Sequence, residues 1–165
     1  MVQFCQIKNI NEDKSSFLSN PTAKISDDSR QNLEREISRD EIAKAIKKMP
    51  NNKSPGPDGI AVELYKVYWR LLGDDLLDVF KAGLEDKCLS YTQYLAAIIL
   101  LYKKGDRADI RNWRPISLLN LDYKILSKVL AERLKTVMHE IISEDQKGCI
   151  PGRFIGDNIR HIDDL

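Results

Sequence analysis

The feature that most limits what this chain can fold into is a single change of pattern. Most apolar residues recur at helical spacing, but Ala96 to Tyr102 reads AAIILLY. A run this short, apolar and partly β-branched suits a buried strand. The apolar run from Leu95 to Leu101 is also far shorter than the roughly 20 residues that cross a bilayer. Trp113 to Leu119 (WRPISLL) is a second strand candidate, and Pro115 inside it argues for an edge or a bulge. Between the two lies a charged loop, Lys103 to Asn112 (KKGDRADIRN), so the pair reads as a hairpin. One short hairpin in a helix-rich chain makes the fold class α+β.

The helical patterns lie on both sides of that hairpin. Residues 1–37 are polar and weakly patterned and read as an arm or linker; residues 38–165 read as the folded domain. Ser38 and Glu41 have the spacing of a capping box. Ile42, Ala45, Ile46 and Met49 then repeat at helical spacing, and Pro50 ends the helix. Asn51 to Gly59 (NNKSPGPDG) is turn-rich. A second helix is expected over Ala61 to Leu72, with Val62, Tyr65 and Trp69 on one face and Gly73 as its stop. A third is expected from Asp74 to Cys88, with Asp74 and Asp75 favoured in its first turn. Asn120 can cap a long helix to about Ile142, with a stripe of Ile125, Val129, Leu130, Leu134, Val137 and Ile141. Ser143 to Arg153 reads as a loop or a short extended piece. A last helix is expected from Phe154, with Ile155, Ile159 and Ile162 in register up to Leu165. That stripe needs a packing partner, so the chain is expected to be the front part of a longer protein.

Charge and composition exclude several classes. The chain has 165 residues, 26 Lys plus Arg against 25 Asp plus Glu, and a formal net charge of +1. Net charge therefore names no partner. The N-terminal stretch carries acids and is no secretory or transit signal. Cys5, Cys88 and Cys149 form no zinc pattern and no disulfide framework, which favours a reducing, intracellular setting. His139 and His161 make no HExxH, and the glycines fit neither a P-loop nor a dinucleotide fingerprint.

Local charge is more informative. Lys103 to Lys135 holds nine basic residues against four acids, with Trp113 and Tyr123 interleaved. Such a cluster suits phosphate contacts, although a solvated helix face with ion pairs is the plainer reading of pattern alone. Arg114 stands in an otherwise apolar strand beside a proline. A guanidinium fixed there can hold phosphate oxygens bidentately, or pair with an acid at a strand edge. Lys103 and Lys104, at the end of the first strand, are placed for the same ligand or form a charged turn. Lys53, Ser54, Asp58 and Gly59 lie in the PGPDG loop, which can touch a nucleic-acid backbone or simply connect two helices with Asp58 as cap. Asp163 and Asp164 are adjacent on the expected last helix, point in different directions, and are rejected as a metal pair.

Together these segments resemble one family. KSPGPDGI (Lys53 to Ile60), LLYKKGD (Leu100 to Asp106), NWRPISLLN (Asn112 to Asn120), DYKILSKVLAERL (Asp122 to Leu134), DQKGCIPGR (Asp145 to Arg153) and DNI (Asp157 to Ile159) occur in the order of the reverse transcriptase of non-LTR retrotransposons of the long-interspersed type. The resemblance runs from about Ser38 to Leu165. It implies the fingers part of a right-hand polymerase, truncated before the palm. The full-length activity would be RNA-directed DNA synthesis with magnesium, and this chain alone would hold no catalytic aspartate, no metal and no cofactor. An alternative is a standalone nucleic-acid-binding module derived from such an enzyme.

The resemblance also assigns residues. Lys103 and Arg114 match the family's fingers lysine and arginine, expected on the triphosphate of the incoming deoxynucleotide. Lys53, Asp58 and Gly59 match a motif near the template-primer, and Gln146, Gly148 and Arg153 one lining the template path. Cys149 stands where the family often has Phe. The implied partners are an RNA template, a DNA primer, a deoxynucleoside triphosphate, and the palm and thumb of the same polyprotein, with no membrane. The implied compartment is the nucleus or the cytoplasm.

Overall fold

The computed structural model describes residues 24–143, 146–148, 150, 152–154 and 156. The expected last helix beyond these, with Ile155, Ile159, Ile162, Asp163 and Asp164, lies outside the described residues, as do Cys149 and residues 1–23. Residues 32–134 form one compact unit, and the segments before and after them form a second.

Helical structure starts inside the expected arm. Helix α1 covers Asp27–Glu34, with Asp27 and Asp28 in the first turn, where the helix dipole favours acids. Ser26 N–H donates to Glu140 Oε2 at 2.7 Å, and the Ser29 hydroxyl donates to Glu140 Oε1. Ile37 is buried, so the core already takes residues from before Ser38.

Helix α2, Arg39–Lys47, opens with the expected capping box between Ser38 and Glu41 and buries Ile42, Ala45 and Ile46. The next two expected helices are one. Helix α3 runs over Val62–Glu85, with a local departure from helical backbone at Tyr68. Gly73 is not a stop but a buried position inside it. A Cβ at Gly73 would lie 2.9 Å from Arg39 Nε. The notch instead admits the Arg39 side chain, whose Nη1 donates to both Asp74 oxygens at 2.7 and 2.8 Å. Its guanidinium carbon lies 5.6 Å from the centre of the Trp69 ring. A tertiary contact has therefore overruled a local signal.

A short helix α4, Tyr91–Tyr94, opens with Ser90 and Gln93 as a capping box. Strands β1 (Ala96–Tyr102) and β2 (Trp113–Leu119) pair antiparallel, from Ala96 opposite Leu119 to Tyr102 opposite Trp113. The hairpin is as expected; its burial is not. Ile98, Ile99, Leu100, Leu101 and Ile116 are all exposed. Helix α5, Leu121–Ile141, follows at once. It buries Leu121, Ile125, Leu126, Val129 and Val137, while Leu130, Leu134 and Ile141 from the expected stripe stay exposed. The core of the 32–134 unit joins α2, α3 and α5 through Ile42, Ile46, Phe80, Leu76, Ile125 and Val129.

Candidate nucleotide and nucleic-acid site

Side chains directly opposite in an antiparallel pair share a face, and every second residue returns to it. Arg114 stands opposite Leu101. Lys103 N–H donates to the Asn112 carbonyl at 2.8 Å, which carries the same register one step past β1. Lys103 is two residues from Leu101, so Lys103 and Arg114 fall on one face of the hairpin, one step apart along it. Both are exposed.

The loop that joins the strands is ordered by its own bonds. The Tyr102 hydroxyl donates to the Gly105 carbonyl. Asn112 Nδ2 donates to the Asp106 carbonyl, and Trp113 Nε1 to the Arg107 carbonyl, each at 2.9 Å. Tyr102 and Trp113 pack edge-on at 5.5 Å between ring centres. Arg107 covers the Tyr102 ring at 5.0 Å, a favourable place for a cation. Gly105 has φ +95°, and a side chain there would also run into Asn112. Arg111 forms a fork with Asp109, whose carboxyl is held below its usual range by the Arg111 guanidinium.

Lys53, Asp58 and Gly59 share the loop that enters α3. Its first residues are tied down: Lys66 Nζ donates to the Met49 carbonyl at 2.7 Å, and Glu63 Oε1 accepts from Asn52 N–H at 2.6 Å. Asp58 does not cap α3; its Oδ1 accepts from Ile60 N–H at 3.0 Å, and Ala61 holds the N-cap position. Gly59, at φ +71°, takes a left-handed conformation that suits glycine. Lys53 also lines a cavity of about 220 Å³ with Met49, Pro50, Ile60, Leu121 and Lys124.

Gln146, Gly148 and Arg153 belong to the other unit. There Arg153 Nη2 donates to the Ile142 carbonyl at 3.0 Å, and Nη1 to the Ser143 and Gln146 carbonyls. Carbonyls at a helix C-terminus lack intrahelical partners, so a cation there is doubly favoured. Gly148 is partly buried, near Gln146.

Sequence reasoning missed one residue at the centre of the 32–134 unit. Asn120 was expected only as a helix cap. It is buried, its Oδ1 accepts from Asp58 N–H at 3.3 Å, and its Nδ2 donates to the Thr92 carbonyl at 2.8 Å. An asparagine between a strand and a helix reads locally as a cap; nothing in the sequence marks partners this far away.

Among the described residues no three His, Cys, Asp or Glu side chains are grouped as a metal site of protein ligands alone would need. Among them, too, no helix is long and apolar enough to cross a membrane.

Residues 102–164, which include Lys103 and Arg114, match the family described as reverse transcriptase (RNA-dependent DNA polymerase). Over 141 residues, 86% of this chain, it is 43% identical to the Transposon TX1 uncharacterized 149 kDa protein of Xenopus laevis. It is 27% identical over 64% of its length to the retrovirus-related Pol polyprotein from type-1 retrotransposable element R1 of Bradysia coprophila. A probable RNA-directed DNA polymerase from transposon BS of Drosophila melanogaster is 29% identical over 74% of the chain. The chain spans 11%, 11% and 14% of the length of these three relatives. On that match, residues 102–164 belong to the reverse transcriptase family, and the chain as a whole is similar to proteins of non-LTR retrotransposons.

Proposed function

We propose that this chain supplies, within the RNA-directed DNA polymerase of a retrotransposon, the fingers contacts to the incoming deoxynucleoside triphosphate and to the template. The observation that carries the reading is the strand register: it sets Lys103 and Arg114 on one face of a hairpin inside the segment that matches the family. A triphosphate carries several negative charges, and more develops on the leaving pyrophosphate as the new bond forms. An ammonium and a planar guanidinium fixed on adjacent strands meet that charge without reorganising. Arg114 supplies paired N–H donors, Lys103 a point charge. The ordered 103–112 loop limits the freedom of the pair. Lys53, Asp58 and Gly59 are assigned to the template-primer backbone. Gln146, Gly148 and Arg153 are assigned to the template path, where Arg153 acts by shaping the 142–153 segment, because its donors already serve carbonyls.

The test is a titration of the full chain with deoxythymidine triphosphate, followed by backbone amide shifts. The amides of residues 101–104 and 112–115 are expected to move, and Arg114→Ala to abolish the movement. Arg114→Lys should restore it in part, since an ammonium cannot reproduce a bidentate fork. Equal shifts with thymidine, which lacks phosphate, would defeat the triphosphate assignment.

A further inference from the structure

We propose that Asn120 is a positioning residue. Its buried amide sets the 51–60 loop, and with it Lys53, against the base of the strand that carries Arg114. The inference rests on the proposed nucleic-acid role of that loop for its functional meaning, but on the bonding of Asn120 for its substance.

Asn120 follows the last residue of β2 and precedes the first of α5. It is 3% exposed. Through Oδ1 it holds Asp58 N–H in the loop, and through Nδ2 it holds the Thr92 carbonyl in α4. One partner is an N–H and the other a C=O, so the amide can point only one way. Aspartate offers acceptors only, and a hydroxyl is too short to span both. The side chain thus joins by hydrogen bonds two segments that the main chain does not bring together, and joins both to the β2–α5 corner.

The loop reaches this amide only because residue 56 is glycine. A Cβ on Gly56 would stand 2.6 Å from both the Cα and the N of Asn120, and backbone atoms there cannot swing aside. Gly59 N–H closes the turn onto the Gly56 carbonyl at 3.1 Å. The loop is therefore fastened at two points: Lys66 and Glu63 hold its start, and Asn120 holds it at Asp58. Lys53 lies between the two fastenings. Where Lys53 meets a phosphate is then set by Asn120 as much as by the loop itself.

The experiment compares the full chain with Asn120→Ala, Gly56→Ala, Lys53→Ala and the Asn120→Ala/Lys53→Ala double variant. Amide hydrogen exchange is read together with affinity for a labelled RNA–DNA hybrid. Asn120→Ala and Gly56→Ala release the loop from opposite sides. In both, the Asp58 and Gly59 amides should exchange at least about tenfold faster, an equilibrium shift that local opening can produce, while α2 and α5 amides keep their rates. Both should weaken hybrid binding about as much as Lys53→Ala does, and the double variant should bind no worse than Asn120→Ala, because both act by one route. If Asn120→Ala does not fold, Gly56→Ala, whose change lies in the surface loop, gives the same two readouts. Unchanged loop exchange in the folded variants overturns the proposal. So does faster exchange with unchanged hybrid affinity while Lys53→Ala weakens binding. If Lys53→Ala itself leaves binding unchanged, the loop's nucleic-acid role falls, and the exchange rates still decide whether Asn120 sets the loop.

Discussion

The guanidinium of Arg133 donates to the carbonyls of Leu33, Arg35 and Glu36 and to both oxygens of Glu41, at 2.9 Å from Nε and 2.9 Å from Nη2. The side chains are 9% and 18% exposed, so the pair is largely out of water. Glu41 meanwhile closes the capping box of α2, accepting from Ser38 N–H at 2.9 Å. Its carboxyl is held well below the usual carboxylate range, chiefly by the Arg133 guanidinium, with Ser38 adding to the effect against the opposing cost of burial. A carboxyl with a folded pKa below its unfolded value contributes its full stability above the unfolded value, near 4.3, and loses it as pH falls toward the folded one. Urea melts of the chain should show stability falling from about pH 5 downward, and Glu41→Gln should flatten that fall. Arg133→Met leaves Glu41 its ion pair with the more exposed Arg35 at 3.0 Å, but it removes the buried guanidinium from Glu41 and from three carbonyls, and should cost about 2 kcal/mol at pH 7. A Glu41→Gln variant with an unaltered acid limb would show that other carboxylates govern it. Arg153 makes a parallel case at the end of α5, and Arg153→Ala should fray the last turn of that helix, seen as faster exchange of the Ile141 and Ile142 amides.

Elements differ in how far the sequence reveals them, and the reason is the range of the interaction that decides each one. The α2 capping box, the strand limits 96–102 and 113–119 and the start of α5 rest on neighbours within a few residues, and all were legible. The same holds for Lys103 and Arg114 sharing a face, because two strands joined by one loop leave little freedom of register. The break expected at Gly73 failed because the reason for the glycine stands 34 positions earlier, in Arg39. Burial of the hairpin failed because an apolar run reports what a surface favours, whereas exposure depends on what lies against it. Asn120 failed for the Gly73 reason: Thr92 and Asp58 are distant in sequence. A double-mutant cycle tests the Arg39 notch. Gly73→Ala gains about 1 kcal/mol of helix propensity but displaces the end of a flexible Arg39 side chain and its partly exposed pair with Asp74. The single change should be nearly neutral in thermal melts. In an Arg39→Ala background the same substitution should stabilise by about 1 kcal/mol, since the notch is then empty. Equal effects in both backgrounds would mean that Arg39 and Gly73 are not coupled.

At the scale of the whole molecule the question is how much of the basic charge is available to a polyanion. The sequence offers nine cations between Lys103 and Lys135, but the fold spends some of them. Arg133 serves carbonyls and Glu41 out of water, and Arg111, though exposed, is offset by its fork onto Asp109 at 2.7 Å. Lys103, Lys104, Arg107 and Arg114 are exposed on or beside the hairpin, and Lys53 is exposed on its loop. If three or four of these meet phosphates, the plot of log K against log salt for an RNA–DNA hybrid should slope at about −3, since each contact releases close to one condensed counterion. The slope should flatten by about 1 in Lys103→Ala and again in Arg114→Ala. Arg133→Met, measured below its melting temperature, should leave the slope unchanged although it removes the same formal charge. That contrast separates charge presented to solvent from charge consumed by folding. An Arg133→Met slope as flat as that of Lys103→Ala would mean that the Arg133 network opens to engage phosphate. A slope that no substitution alters would remove the hairpin and its loop from the binding surface altogether.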